Sequence, residues 1–156
     1  NLIDWLPKIL PSEKQTGIVH GDYSLTNVMI DKNNPNVIAI LDWELSTLGD
    51  PCADFNYHCL QYTMNPKLAD KEYCKNQGIP IIDDYVKMYS EKINIDLSDE
   101  WDLYSAYNLF KLAGILQGIL GRVRDGTAAH ENAAERASGV RNLSDKAWEL
   151  VEKKFL

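Results

Sequence analysis

Apolar and polar residues are arranged in two different patterns along the 156 residues of this chain. Up to about Asp50, short apolar runs with the length of strands alternate with segments rich in turn-forming residues. After Pro51, apolar positions recur at helical spacing, without internal repeats or low-complexity segments. The pattern predicts an α+β fold that is mostly helical.

Several helix boundaries can be placed from local signals. Asp50 followed by proline is typical of an N-cap with proline in the first turn, so a helix is predicted to begin at Pro51. A break at Gly78-Ile79-Pro80 should precede a second helix over residues 81–93.

The C-terminal third predicts two longer helices. Ser98 is expected to cap the first, which is apolar nearly all round between Leu109 and Leu120. A helix without a polar face is usually buried, so this stretch is predicted to be the spine of the domain. The last helix should run from about Glu131 to Phe155, with Gly139 weakening its middle.

Residues 28–41 predict a β-hairpin. Two apolar runs, VMI and VIAIL, flank the segment DKNNPN, whose Asn and Pro residues favour a chain reversal. An antiparallel pairing would bring Asn27, before the first strand, next to Asp42, after the second. The register expected from the symmetric runs pairs Ile30 with Ala39, Met29 with Ile40 and Val28 with Leu41.

The polar residues at this end of the hairpin suit a metal–phosphate site. Residues 20–27 form a connection that is long for a hairpin turn and has the length of a loop that carries chemistry. One carboxylate and one amide oxygen, from Asp42 and Asn27, suit Mg²⁺ when phosphates supply further ligands. Glu44 would add a second carboxylate if the chain stays extended. Asp22 would then accept or orient the proton of a substrate hydroxyl.

Charge and cysteine content restrict the partners. A net charge of −7 and a pI near 4.9 argue against nucleic acid or an anionic membrane as the main partner. No apolar run approaches the length of a membrane span. Three cysteines without two-residue spacing argue against structural disulfides or a zinc knuckle. A reducing, cytoplasmic compartment is therefore expected.

Two motifs resemble a known family. HGDYSLTN has the spacing His-x-Asp-x-x-x-x-Asn of the catalytic loop of protein-kinase-like phosphotransferases, and ILDWELSTLGDP resembles their metal-binding segment. Together they resemble the aminoglycoside phosphotransferase family, which includes choline-kinase-like enzymes. AILDWELSTLGDPCAD is similar to a narrower group, kinase-like domains joined in some larger proteins to acyl-CoA dehydrogenase modules. The resemblance extends from about Ile18 to Val123.

The resemblance implies a role for each polar residue of the hairpin end. Asp22 would be the catalytic aspartate, and Asn27 and Asp42 would bind Mg²⁺ and, through it, the nucleotide ATP. Glu44 would be either a further metal contact or a surface acid.

Two more residues are expected to support the loop. On general grounds His20 is a hydrogen-bonded loop anchor rather than an acid or base. Asp54 is either a first-turn carboxylate favoured by the helix dipole or a buried acceptor that holds loop amides.

Departures from protein kinases refine the expected activity. Gly21 stands where many protein kinases carry an arginine that pairs with an activation-loop phosphate, which favours a constitutive small-molecule kinase. Trp43-Glu44 replaces Phe-Gly after the metal-binding aspartate.

The expected domain organisation is that of a partial kinase. The chain begins without Met inside an amphipathic segment, and it contains neither a Gly-rich loop nor a strand lysine. Residues 1–156 are therefore expected to form the C-terminal, catalytic-loop and substrate lobe of a kinase-like domain, with the N-terminal ATP-clamping lobe absent from this chain. Such a fragment alone should transfer phosphate poorly or not at all.

The expected function is ATP-dependent transfer of phosphate to a small-molecule hydroxyl. The acceptor would be an aminoglycoside, a choline-like amine or a hydroxyacyl compound; the narrower resemblance favours the last and implies association with an acyl-CoA dehydrogenase module. One alternative is a catalytically inactive kinase-like interaction module. Another is a haloacid-dehalogenase-like phosphatase, although its late acidic motif would begin too soon after Asp42.

Overall fold

A computed structural model describes residues 2–9, 15–128 and 132–156 and divides into two compact units. Unit 1 comprises Asn1–Pro11 with Asp102–Leu156, and unit 2 comprises Ser12–Trp101. The described strands are β1 (Gly17–Val19), β2 (Val28–Ile30), β3 (Val37–Ile40) and β4 (Thr47–Gly49). The described helices are α1 (Leu2–Ile9), α2 (Pro51–Met64), α3 (Pro66–Ala69), α4 (Lys71–Gln77), α5 (Ile82–Ile93), α6 (Trp101–Arg124), α7 (Ala133–Arg136) and α8 (Val140–Phe155). The predicted α+β, mostly helical fold class is confirmed.

Strands β2 and β3 form the predicted hairpin, but the predicted register is wrong by one residue. Val28 pairs with Ile40 and Met29 with Ala39, and a bulge before Ile30 shifts that residue to Val37. The turn decides this register, because the Asp31 amide donates to the carbonyl of Asn36 at 2.9 Å and closes the loop tightly.

The shifted register changes what lies at the open end of the hairpin. The Leu41 amide donates to the carbonyl of Asn27 at 2.8 Å, so Asn27 lies opposite Leu41. Asp42 therefore lies one residue beyond the last pair, and Asn27 is not its direct partner.

A second strand pair, β1 with β4, was not predicted from the sequence. It is antiparallel and pairs Ile18 with Leu48 and Val19 with Thr47. It joins the segment that enters loop 20–27 to the segment that follows Asp42. The close approach of β1 to α2 requires glycine at position 17, because a Cβ atom there would lie 2.7 Å from the Pro51 ring.

The predicted start of α2 is confirmed. The Asp50 side chain accepts a hydrogen bond from the amide of Cys52 at 2.9 Å, and Pro51 occupies the first turn. The predicted break before α5 is also present, because Gly78 ends α4 in the left-handed region with φ of 68°.

Helix α6 differs from the prediction in its start and its buried segment. It begins at Trp101, and Ser98 belongs to a turn in which its amide donates to Asp96 at 2.9 Å. Its buried positions lie between Leu103 and Ala113, so the predicted spine over 109–120 is wrong in its second half.

Glycine explains the difference in α6. Gly114 and Gly118 lie within the predicted apolar stretch, but they carry no side chain to bury. A Cβ atom at Gly114 would meet no atom of the described residues within 4 Å, so this part of the helix surface is not packed against them. Ile115, between two of these glycines, is 42% exposed.

The C-terminal segment is broken where Gly139 predicted weakness. Within the described residues, α7 and α8 are separated by a 3₁₀ turn at Ala137–Gly139. The predicted helix start at Glu131 lies outside the described residues. No helix in the described ranges is long and apolar enough to cross a membrane.

The burial of α6 makes a stability prediction. Leu109 is fully buried, so Leu109→Ala should reduce the free energy of unfolding by about 2–5 kcal/mol through lost apolar contact and a new cavity. Ile115→Ala on the same helix is the control and should cost less than about 1 kcal/mol. Urea denaturation of the natural protein that contains this chain measures both values. Equal losses would contradict the placement of the buried segment.

Candidate active site

A carboxylate on α2 holds the loop formed by residues 20–27. Asp54 accepts hydrogen bonds from the backbone amides of His20 and Gly21, the latter at 3.0 Å. Asp54 also lies in the first turn of α2, where the helix dipole favours a negative charge. Asp54 thus accepts loop amides from the first turn of α2, although it is half-buried and not the buried acceptor considered from the sequence.

His20 connects the loop to the end of β3. Its Nδ1 accepts a hydrogen bond from the Asp22 amide at 3.2 Å, so its Nε2 carries the proton and donates to the carbonyl of Leu41 at 2.8 Å. Its ring lies 4.7 Å from that of Trp43 between centroids, and only 3% of the residue is exposed. Both ring nitrogens are engaged within the protein, which is the geometry of an anchor rather than of a proton carrier.

Asp22 and Asn27 contact each other directly. The Asn27 amide nitrogen donates to the Asp22 carbonyl at 2.8 Å and to its carboxylate at 3.0 Å. A carboxylate and a carbonyl only accept, so the amide nitrogen must face Asp22. This orientation leaves Oδ1 of Asn27 as the atom that can ligate a cation.

Asp42 lies beyond the same end of the hairpin in a left-handed conformation. Its φ and ψ are 65° and 57°, in a region that Asp and Asn enter more readily than most residues. A 3₁₀ turn follows at Trp43–Leu45. The chain therefore does not stay extended after Asp42, and the expectation that Glu44 projects from the same face is wrong in its premise.

Histidine, cysteine and carboxylate side chains do not by themselves form a metal site in the described part of the chain. Within the described part of the chain, no three His, Cys, Asp or Glu side chains are grouped closely enough to hold a metal ion. Glu44 is exposed on the 3₁₀ turn, and its role as a further metal contact stays a prediction. An amide oxygen, as from Asn27, and a carboxylate, as from Asp42, are ligand types that suit a magnesium ion with further ligands from water and phosphate. That these two residues share one ion stays a prediction.

Gly21 has a steric role that the sequence comparison with protein kinases did not indicate. Its φ is +85°, and a Cβ atom there would lie 2.5 Å from the carbonyl oxygen of Leu45. A larger residue would separate the loop from the 3₁₀ turn that follows Asp42. Glycine is therefore required for these two segments to meet.

Two residues of α2 that the sequence did not indicate also contact the loop. The His58 ring lies 5.4 Å from that of Tyr23. Burial, and after it hydrogen bonding to Asp22 and the charge of Asp22, raise the pKa of Tyr57. Burial lowers the pKa of His58, whose Nε2 lies 3.2 Å from the Tyr85 hydroxyl. Asp54, Tyr57 and His58 share one helix face by their spacing of three and four residues, the signal that could have revealed them.

An aromatic cavity of about 440 Å³ lies beside the loop within unit 2. Phe55 stacks on Tyr89 with centroids 3.8 Å apart and meets Tyr85 edge-on at 5.2 Å. Among the described lining residues, Asp54 is the one carboxylate and Lys92 the one primary amine. Further lining residues are Ile18, Tyr23, Ile40, Trp43 and Met88.

Comparison with known proteins identifies the family. The sequence profile of the phosphotransferase enzyme family, APH, matches residues 1–107, more than half of the chain. The chain belongs to this family. The resemblance inferred from the two motifs is confirmed, and the phosphatase alternative has no support in this assignment.

The phosphotransferase-family chain is also similar to parts of larger proteins. It is 37% identical over 157 residues to acyl-CoA dehydrogenase family member 10 of Mus musculus, covering 97% of the chain and 15% of that protein. It is 32% identical over 159 residues to family member 11 of Homo sapiens, covering 99% of the chain and 20% of that protein. The chain thus spans about a fifth or less of these relatives.

A solved structure shows the same fold. A Ralstonia eutropha protein, named as an aminoglycoside phosphotransferase with the assignment marked as provisional, superposes with a TM-score of 0.89 at 40% identity. The match covers 99% of this chain and 49% of that chain. The fold is therefore that of a part of a kinase-like phosphotransferase, as predicted.

The buried ionisable groups of unit 2 predict a loss of stability at alkaline pH. Burial is the largest cause that raises the pKa of Tyr57, Tyr89 and Cys59 to about 12, from 10.0 for tyrosine and 9.0 for cysteine. The folded state therefore holds these protons more tightly than the unfolded chain. Their contribution is complete below pH 9 and is lost as the pH rises towards 12.

Melting temperature measured from pH 8 to pH 11 at constant ionic strength should fall progressively above about pH 9. Cys59→Ala removes one of these groups and should make the fall shallower. A melting temperature that is flat across this range, or a slope unchanged in the variant, would contradict the assignment.

Proposed function

We propose that the natural protein containing this chain transfers the γ-phosphate of ATP to a hydroxyl of a small molecule. Membership of the phosphotransferase family supports the reaction class. The observation that carries the proposal is the direct contact of Asp22 with Asn27 at the hairpin end that leads to Asp42. Phosphoryl transfer needs little covalent chemistry from the protein, so such positioning and charge placement supply most of the catalysis.

Each residue of this group has a distinct task in the proposal. The half-buried carboxylate of Asp22 accepts or orients the proton of the attacking hydroxyl. Asn27 Oδ1 and the Asp42 carboxylate would hold Mg²⁺, which neutralises phosphate charge when it is bound. The hydrogen bond from Asn27 to Asp22 fixes the position of the proposed catalytic carboxylate relative to the proposed metal ligand.

The described chain supplies one half of such an enzyme. We infer that residues 1–156 form the C-terminal lobe and that the ATP-clamping lobe belongs to another part of the polypeptide. The 49% coverage of the Ralstonia eutropha chain supports this inference. So do Ile30 and Val37, which pair across the hairpin and are each more than half exposed, because exposed apolar residues side by side often meet another surface. The isolated chain should accordingly transfer phosphate poorly.

The aromatic cavity favours an acceptor with an apolar part. An aminoglycoside carries several positive charges, and the one carboxylate among the described lining residues, Asp54, already accepts two backbone hydrogen bonds. A hydroxyacyl compound would place its chain against Phe55 and Tyr89, and Lys92 would attract an anionic group. Similarity to acyl-CoA dehydrogenase family proteins supports this acceptor and an association with an acyl-CoA dehydrogenase module.

An inactive interaction module remains the second candidate, because the relatives are named for a different activity. Metal-dependent ATP turnover by the complete protein separates the two. Phosphate transfer to any hydroxyl acceptor supports the enzyme, and its absence with intact folding supports the module.

Substitution of the two aspartates should produce different defects. Asp42→Asn removes a charged metal ligand and should weaken MgATP binding as well as turnover. Asp22→Asn should lower turnover by about 10²–10⁴-fold while MgATP affinity stays nearly unchanged, because in the proposal Asp22 contacts the acceptor hydroxyl and not the metal or the nucleotide. Calorimetric titration of MgATP into each variant, beside steady-state rates, measures both effects. Equal loss of nucleotide affinity in the two variants would place Asp22 among the metal ligands.

The acceptor proposal predicts an order of preference among three probes. Hydroxybutyryl-CoA should be phosphorylated with a higher kcat/KM than kanamycin or choline. Met88→Glu places a charge in the cavity and should raise KM for hydroxybutyryl-CoA by at least about tenfold without changing KM for MgATP. Met64→Glu, at a similarly exposed methionine outside the described lining, is the matched control. Preference for kanamycin, or equal effects of both variants, would contradict the proposed acceptor.

A further inference from the structure

His58, on α2, lies between two aromatic side chains that line the cavity. Its ring centroid lies 5.4 Å from that of Tyr23 and 5.8 Å from that of Tyr85. Tyr23 belongs to loop 20–27 and directly follows the proposed catalytic Asp22, whereas Tyr85 belongs to α5. His58 therefore contacts the wall of the cavity that the loop supplies and the wall that α5 supplies.

The contact between His58 and Tyr85 includes a hydrogen bond. The Tyr85 hydroxyl lies 3.2 Å from Nε2 of His58, and the two rings meet edge-on with an interplanar angle of 70°. Burial lowers the pKa of His58 and raises the pKa of Tyr85, so both groups are neutral at pH 7. The two side chains thus form a hydrogen bond between neutral groups, which fixes the direction of the Tyr85 hydroxyl.

The other ring nitrogen of His58 indicates that this histidine does more than fill space. Nδ1 is buried and has no hydrogen-bond partner among the described residues. A buried polar atom without a partner costs free energy, and an apolar ring of similar shape would avoid that cost. The histidine is therefore not the most stabilising residue for this position, which is a property expected of functional positions.

The hydrogen bond to His58 adds an orientation that ring packing alone does not give to Tyr85. The Tyr85 ring meets Phe55 edge-on at 5.2 Å, and Phe55 in turn stacks on Tyr89 at 3.8 Å. These three rings all line the cavity. Ring contacts of this kind tolerate a range of tilts, whereas a hydrogen bond is directional. Loss of the bond should therefore let Tyr85 tilt and change the shape of the cavity.

We propose that His58 is a positioning residue that holds Tyr23 and Tyr85 in place as walls of the acceptor cavity and so sets the affinity for the acceptor. The proposal rests on the proposed function, which assigns this cavity to the acceptor. It differs from a purely structural role, because an apolar ring at position 58 should preserve the stability of the fold and still impair acceptor binding.

The test removes the hydrogen bond from each side in the natural protein that contains this chain. His58→Phe keeps a ring beside Tyr23 and removes the nitrogen that Tyr85 contacts, and Tyr85→Phe removes the hydroxyl. Tyr62→Phe is the matched control, because the Tyr62 hydroxyl donates to the Pro80 carbonyl at 2.8 Å and not to His58. Hydroxybutyryl-CoA, kanamycin and choline are offered as acceptors, and KM is measured for the one with the highest kcat/KM.

His58→Phe and Tyr85→Phe should each raise KM for the acceptor by about three- to tenfold, the effect of one hydrogen bond between neutral groups, with KM for MgATP unchanged. The double variant should show no larger effect than the single variants, because all three lack the same bond. The melting temperature of His58→Phe should equal or exceed that of the wild type, whereas Tyr85→Phe should melt lower because Nε2 loses its partner. Tyr62→Phe should keep the wild-type KM.

The positioning role and the proposed function fail in distinguishable ways. A wild-type KM in His58→Phe, or additive increases in the double variant, would overturn the role of His58 and leave the phosphotransferase function intact. If the wild-type protein phosphorylates none of the three acceptors, the proposed function fails, and a crystal structure of His58→Phe decides the positioning role by itself. A displaced Tyr85 ring would then support that role, and an unmoved ring would overturn it.

Discussion

The hydrogen bonds from two adjacent backbone amides to the Asp54 carboxylate are the constraint on which the candidate site depends. They involve an ionised acceptor, so they are stronger than ordinary backbone hydrogen bonds. Directly after these two amides the chain turns at Gly21, whose φ of +85° is readily adopted only by glycine. The same glycine permits the approach of Leu45. One carboxylate and one glycine thus decide where the loop lies.

His20, Asp22 and Asn27 are connected to this attachment by further hydrogen bonds. His20, held at its backbone by Asp54, uses both ring nitrogens to join the Asp22 amide to the carbonyl of Leu41. Leu41 in turn pairs with Asn27, whose amide contacts Asp22. The contacts form a closed circuit between loop 20–27 and the end of the hairpin. The loop that carries Asp22 and Asn27 is thereby attached to the end of β3 that precedes Asp42.

Sequence reasoning found the parts of this site whose signals are local. Asp50-Pro51 specifies the start of α2 by capping chemistry, and the spacing from His20 to Asn27 indicates the family. The hairpin register was missed because a bulge beside Ile30 depends on how the turn closes. The position of Glu44 was missed because the pattern of apolar and polar residues does not indicate the left-handed conformation of Asp42.

The remaining differences between the sequence predictions and the structure arise from tertiary packing. The buried part of α6 includes Ser105 and Asn108, polar residues that a hydrophobic pattern assigns to the surface, whereas its glycines offer nothing to bury. The contact of His58 with the loop was missed because its partner, Tyr23, lies 35 residues earlier in the chain, as 58 − 23 shows. Periodicity can place a residue on a helix face, but only the packed structure shows what that face meets.

Amide hydrogen exchange at Gly21 tests the central role of Asp54 most directly. Asp54→Asn removes the charge and one of the two equivalent acceptor oxygens, so exchange at Gly21 should accelerate by about 10- to 100-fold. Asp50→Asn removes the same charge from the same helix but keeps an effective N-cap, and exchange at Gly21 should stay at the wild-type rate. Unchanged protection of Gly21 in Asp54→Asn would contradict the account, because the loop would then be held by something other than this carboxylate.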